Sequence, residues 1–64
     1  MNLMKVIMIQ NLAIRVDKIE GVQLREDLHT VKVFVGTYGH NFVFDKLKET
    51  IDFFEEVVKE LKDL

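Results

Sequence analysis

The spacing of apolar residues changes at Asp45. From Thr30 to Phe44 the apolar positions alternate with others, as in a strand that has one buried face. After Asp45 they recur at steps of four and three residues, as on one face of a helix. The helical positions are Leu47, Ile51, Phe54, Val58 and Leu61. The pattern therefore predicts a sheet that ends, and a helix that begins, within one or two residues of Asp45.

The same pattern predicts further strands in the N-terminal half. Alternating or continuous apolar stretches, separated by turn-forming residues, indicate strands at about residues 4–10, 12–17, 21–25, 30–35 and 41–44, and a helix at about 46–62. Asp45 is the expected N-cap of this helix. We expect a single domain over residues 1–64 with an α+β fold: a small antiparallel meander of four or five strands, with one C-terminal amphipathic helix packed on one face.

Length and composition favour a domain that associates. A chain of 64 residues buries only about 60% of the surface that its unfolded form exposes. The sequence has no cysteine, so no disulfide adds stability, and this absence fits a cytoplasmic location. The net charge of −2 gives no basic field for a membrane or for nucleic acid, and no apolar run reaches the length of a membrane span.

The helix carries a second apolar row beside the first. We predict that the first row faces the sheet, which leaves two interpretations of the second: the sheet curls to cover it, or it binds a partner. The interface candidates in this row are Phe53, Val57 and Leu64. Strand one adds Met4, Val6 and Met8 on one face, since Ile7 and Ile9 take the other, and Tyr38 lies at the tip of a predicted hairpin.

The other side of the helix is acidic. Its ridge consists of Asp45, Glu49, Asp52, Glu56 and Asp63. Solvated charge is the ordinary role of such a face. The alternative is an acidic strip that docks on a basic surface, and lysines close by weaken that alternative.

Residues that carry chemistry are scarce. The chain has no serine and no cysteine, and its threonines have no neighbouring base, so we predict no catalytic residue and no enzyme activity. His29 and His40, with Glu26 or Asp27, would bind a metal only if two loops met, without rigid support for the ligands. We therefore predict no metal site and no cofactor.

These observations predict a non-catalytic protein–protein interaction module. We expect a small homodimeric regulator or inhibitor of a larger protein partner, similar in general style to small proteins of bacteria and their phages. The alternative is a weak nucleic-acid-binding module that uses the Tyr38–His40 hairpin. Its only nearby candidates for phosphate contacts are Arg25 and Lys32, so nucleic acid is the less favoured partner.

Overall fold

The computed structural model describes residues 5–64, which form five antiparallel strands and one C-terminal helix. The elements are β1 (Val6–Ile9), β2 (Leu12–Arg15), β3 (Ile19–Arg25), β4 (Thr30–Val35), β5 (Tyr38–Val43) and α1 (Leu47–Lys62). The helix packs on the strands, so the predicted α+β fold is confirmed. Within residues 5–64 no helix is both long enough and apolar enough to cross a membrane.

The strands divide between two sheets. β1 and β2 form a two-stranded hairpin, and β3, β4 and β5 form a three-stranded sheet in that order. The amide of Val16 donates to the carbonyl of Lys5 at 3.0 Å, which extends the hairpin by one bond. A 3₁₀ turn over Val16–Lys18 then redirects the chain into β3. Because the Val16 side chain is fully buried, this turn is tied to the core and separates the two sheets.

Two tight turns set the strand register. Gln10 and Asn11 join β1 to β2 with φ angles of 50° and 70°, the pair of positive values that a two-residue type I′ turn requires. Gly36, with φ of 62°, opens the turn between β4 and β5, where Val35 pairs directly with Tyr38. This turn has only two residues, so β5 begins at Tyr38 and not at the predicted position 41.

An aromatic ring fills the space left by two glycines in the three-stranded sheet. Phe34 on β4 pairs with Gly21 on β3 and with Gly39 on β5. A β-carbon at Gly21 would lie 3.7 Å from Cδ2 of this ring, and one at Gly39 would lie 3.4 Å from Cε1 and 2.5 Å from Cε of Lys32. The ring thus lies across both neighbouring strands, which explains how β5 tolerates a glycine within its length.

Both sheets and the helix contribute to one core. Its buried side chains are Ile7, Ile14, Val16, Ile19, Val31, Val33, Phe42, Phe53 and Val57. Phe53 of the helix contacts two aromatic rings at the end of β5, with centroid distances of 5.6 Å to Phe42 and 5.5 Å to Phe44. These contacts fix which side of α1 faces the strands.

The helix begins one residue later than predicted. Lys46 is its N-cap and makes no side-chain capping bond, so the assignment of Asp45 as the N-cap is wrong. The first turn is stabilised from inside the helix, because both the amide and the hydroxyl of Thr50 donate to the carbonyl of Lys46, at 3.1 and 2.9 Å. Asp45 instead lies near the turn between β3 and β4, where its carbonyl oxygen is 3.2 Å from Nδ1 of His29.

Candidate interaction surfaces

The row of the helix that faces the core is Thr50, Phe53 and Val57, all of them buried. Of the two interpretations of this row, cover by the sheet holds for Phe53 and Val57, which are core residues, so their choice as partner contacts is wrong. Leu64, the third candidate of that row, is 64% exposed just beyond the end of the helix. The row was hard to recognise from apolar spacing because one of its members is a threonine. The hydroxyl of Thr50 is satisfied by the Lys46 carbonyl and can therefore be buried.

A second apolar surface, which we call the helix flank, consists of Leu47, Ile51, Phe54 and Val58. At 100° per residue it is centred about 100° around the helix from the core row. Leu47 is 39% exposed, and the other three side chains are partly exposed. Phe54 borders the core, whereas Ile51 and Val58 are not among the described side chains that pack against it. The row predicted to face the sheet is therefore only partly covered: Phe54 and Leu61 border the core, and Leu47, Ile51 and Val58 do not.

A shallow groove of about 370 Å³ runs along the C-terminal half of the helix flank. Its lining residues are Phe54, Glu55, Val58, Lys59, Lys62 and Asp63. The rim therefore contains two positive and two negative side chains around an apolar floor. Neither Glu55 nor Lys62 belongs to the ion pairs formed within residues 5–64, which leaves both charges available to a partner.

The outer face of the β1–β2 hairpin is a third candidate surface, which we call the hairpin face. Val6 and Met8, both predicted as partner contacts, are 46% and 75% exposed, while Ile7 and Ile14 point into the core. Ala13, which pairs with Met8, is also exposed. Met4, the remaining candidate of this strand, lies outside the described residues.

The base of the hairpin face is polar. Val6 pairs with Arg15, whose guanidinium is 2.7 Å from the carboxylate of Asp17. The hydrogen bond from Arg15 holds the pKa of Asp17 below its usual value. The hairpin face is thus an apolar patch with a charged margin, the arrangement typical of a transient protein interface.

Tyr38 is 67% exposed at the start of β5, and its ring meets that of His40 edge to face at 4.9 Å. Register places these two rings on the same side of the sheet as Val35 and Val33. Lys32 alternates with Val33 and therefore points to the opposite side, where it lines a groove of about 410 Å³. Arg25 lines the same groove. The stacking residues and the cations of the nucleic-acid hypothesis are thus separated by the sheet.

The acidic ridge lies fully on the surface: Asp45, Glu49, Asp52, Glu56 and Asp63 are all exposed. Asp52 accepts a hydrogen bond from Lys48 at 2.9 Å, and this bond raises the pKa of the lysine. An exposed pair four residues apart is an ordinary feature of a solvated helix face. The geometry adds no second feature that would make this ridge a binding site.

The two histidines do not approach each other. His29 is opposite Phe44 in the sheet, because its carbonyl accepts the Phe44 amide at 2.8 Å. His40 is four residues from Phe44 along β5, about 13 Å at the rise of a strand. Among residues 5–64 no group of three histidine or acidic side chains is arranged to hold a metal ion.

Comparison with known proteins gives no match among family models, curated proteins or solved structures. The assignment of a role to these surfaces therefore depends on their exposure, shape and charge.

Proposed function

We propose that this protein is a non-catalytic protein–protein interaction module, a small homodimer that regulates or inhibits a larger protein partner. The observation that carries the proposal is the helix flank, where Leu47, Ile51, Phe54 and Val58 form an apolar stripe that remains partly exposed beside the core. A continuous apolar stripe with a charged rim is typical of a surface that another protein covers.

The size of the domain supports self-association. A chain this short obtains little burial from its own core, and the helix flank is apolar surface that folding leaves partly exposed. Covering the flank with a second copy gives each chain additional burial. The shortage of internal burial that the sequence indicates therefore supports a homodimer.

A larger partner needs a different surface, and the hairpin face supplies one. Lys5, next to β1, pairs with Glu60 at 3.3 Å, which locates the base of the hairpin beside that residue of the helix. Glu60 is about 150° around the helix from the centre of the flank. A dimer formed through the flank therefore leaves Val6 and Met8 of both copies free for the partner.

The oligomeric state tests the proposal. We expect the weight-average mass, measured by sedimentation equilibrium, to rise from the chain mass of 7.5 kDa towards twice that value as concentration increases. The series should extend from about 5 to 500 µM, because small interfaces dissociate readily. Val58→Lys should keep the protein monomeric, since a charge in the flank would have to be desolvated.

Val43→Lys is the matched control. Val43 is 61% exposed on the opposite side of the three-stranded sheet, so this variant adds the same charge to a surface outside the flank. It should dimerise like the unchanged protein. A mass that stays at 7.5 kDa for the unchanged protein across the series would refute the homodimer.

A further inference from the structure

We propose that the two copies meet flank to flank, with their α1 helices antiparallel about a two-fold axis. This inference rests on the proposed function and names the occupant of the helix flank. Together with Leu61, the flank residues follow the spacing of 4, 3, 4 and 3 residues along α1. This is the spacing of the a and d positions of a coiled coil, a stripe that a second helix completes.

The rims of the stripe decide the relative direction of the helices. One rim is the core row, with Thr50 and Val57 buried under the sheet, and the other carries Glu55 and Lys62. In an antiparallel pair each rim faces the same rim of the second helix. In a parallel pair the Glu55–Lys62 rim would face the core row of the other copy, which its own sheet already covers. Only the antiparallel direction brings the two exposed rims together.

The charges then select the register. Glu55 and Lys62 are seven residues apart and lie at nearly the same angle on the helix. An axis at the level of Glu56 places Phe54 of one copy opposite Val58 of the other, and Ile51 opposite Leu61. Helical side chains lean towards the helix N-terminus, so Glu55 of each copy reaches towards Lys62 of the other. The result is an isologous interface with two identical ion pairs.

Shifting the two helices by one heptad removes this match. With the axis half a heptad nearer the N-terminus, Glu55 approaches Lys48 of the second copy, but Lys48 already pairs with Asp52 of its own helix at 2.9 Å. Leu61 would then lie opposite position 44 of the second copy, which is outside α1. The register centred on Glu56 is the one that places the C-terminal end of the groove, at Lys62 and Asp63, opposite the second helix. It also uses two charges without partners among the described ion pairs.

Charge reversal tests this arrangement. Glu55→Lys or Lys62→Glu alone converts both ion pairs into like-charge contacts, so we expect each single variant to raise the dimer dissociation constant about tenfold at low ionic strength. The double variant, with both changes, restores two pairs of opposite charge and should return the dissociation constant to within about threefold of the unchanged protein.

Glu56→Lys is the control for the change in net charge. Glu56 neighbours Glu55 in sequence but lies on the acidic ridge, so this variant should leave the dissociation constant unchanged. Helical circular dichroism should be the same for all four variants, because every substituted side chain is on the surface.

Each outcome separates the inference from the proposed function. If the protein dimerises and neither single variant changes the dissociation constant, the antiparallel register is overturned and the homodimer stands. Single variants that weaken the dimer without rescue in the double variant would also overturn it. An unchanged protein that stays monomeric at every concentration would remove both proposals together.

Discussion

Gly36 occupies a backbone conformation that other residues adopt only at a cost. Its φ of 62° lies in the left-handed region, and it is the first residue of the two-residue turn between β4 and β5. No atom lies within 4 Å of the position that a β-carbon would take. Substitution there is therefore disfavoured by backbone conformation alone, with no steric clash to relieve.

We expect Gly36→Ala to lower the free energy of unfolding by about 1–2 kcal/mol, the cost of a left-handed conformation for a residue with a β-carbon. Chemical denaturation measured by circular dichroism would give this value. Thr37→Ala changes the exposed neighbour in the same turn and should stay within about 0.5 kcal/mol of the unchanged protein. Equal effects of the two substitutions would mean that the turn is not held by its glycine.

At the scale of the element, α1 presents the same amino acid in two environments at adjacent positions. Val57 is fully buried in the core row, whereas Val58 belongs to the helix flank and remains partly exposed. The pair offers a direct comparison, because both positions are interior to the helix and have the same intrinsic propensity. A difference in the free energy of unfolding after the same substitution at the two positions therefore reports how well each side chain is packed.

Val57→Ala should lower the free energy of unfolding by about 2–3 kcal/mol, since it leaves a cavity in the core. Val58→Ala should cost less than about 1 kcal/mol when measured at low micromolar concentration, where we expect the monomer to predominate. Thermal or urea unfolding of the two variants under identical conditions would show the difference. If Val58→Ala lowered the free energy of unfolding more than Val57→Ala, the row of Val58 would be the one that faces the sheet, as apolar spacing predicts.

The local spacing of apolar residues predicts the strands and the helix. The details that it does not predict, such as which side of α1 faces the core, depend on contacts that this spacing does not show. The alternation before Asp45 and the helical spacing after it are properties of short segments, so five strands and the extent of α1 follow from them. The glycine at position 39 of β5 is favoured by the Lys32 and Phe34 side chains of a neighbouring strand. The core row includes Thr50, which can be buried because its hydroxyl donates to the carbonyl of Lys46. The pattern of apolar residues cannot show this, because threonine is polar.

At the scale of the molecule, the helix flank and the hairpin face point in different directions. The ion pair between Lys5 and Glu60 locates the hairpin base on the side of α1 away from the flank. Two copies joined through their flanks would therefore display two hairpin faces. Such a dimer binds a repeated or symmetric target more tightly than one copy does, since the second contact is intramolecular.

Met8 is the side chain with which to test the hairpin face, because it is 75% exposed. A protein captured from the native host by the unchanged chain should be lost on Met8→Lys, since the added charge would be buried at the contact. Leu28→Lys makes the same kind of change at another exposed apolar residue and should retain the captured protein. Retention of the same protein by Met8→Lys would show that the hairpin face is not its binding surface.

Phe34 and the glycines on either side of it form a unit that spans three strands. The ring lies beside both glycines, and the Lys32 side chain is closer still to Gly39, 2.5 Å from the position of its β-carbon, so the residue that position 39 accepts depends on positions 32 and 34. Effects of substitution at such touching sites do not add. A β-carbon at position 39 would displace the Lys32 side chain as well as press on the ring, whereas one at position 21 would make only an ordinary contact. Substitution at position 39 is therefore expected to depend on two residues of β4 at once, and substitution at position 21 much less so.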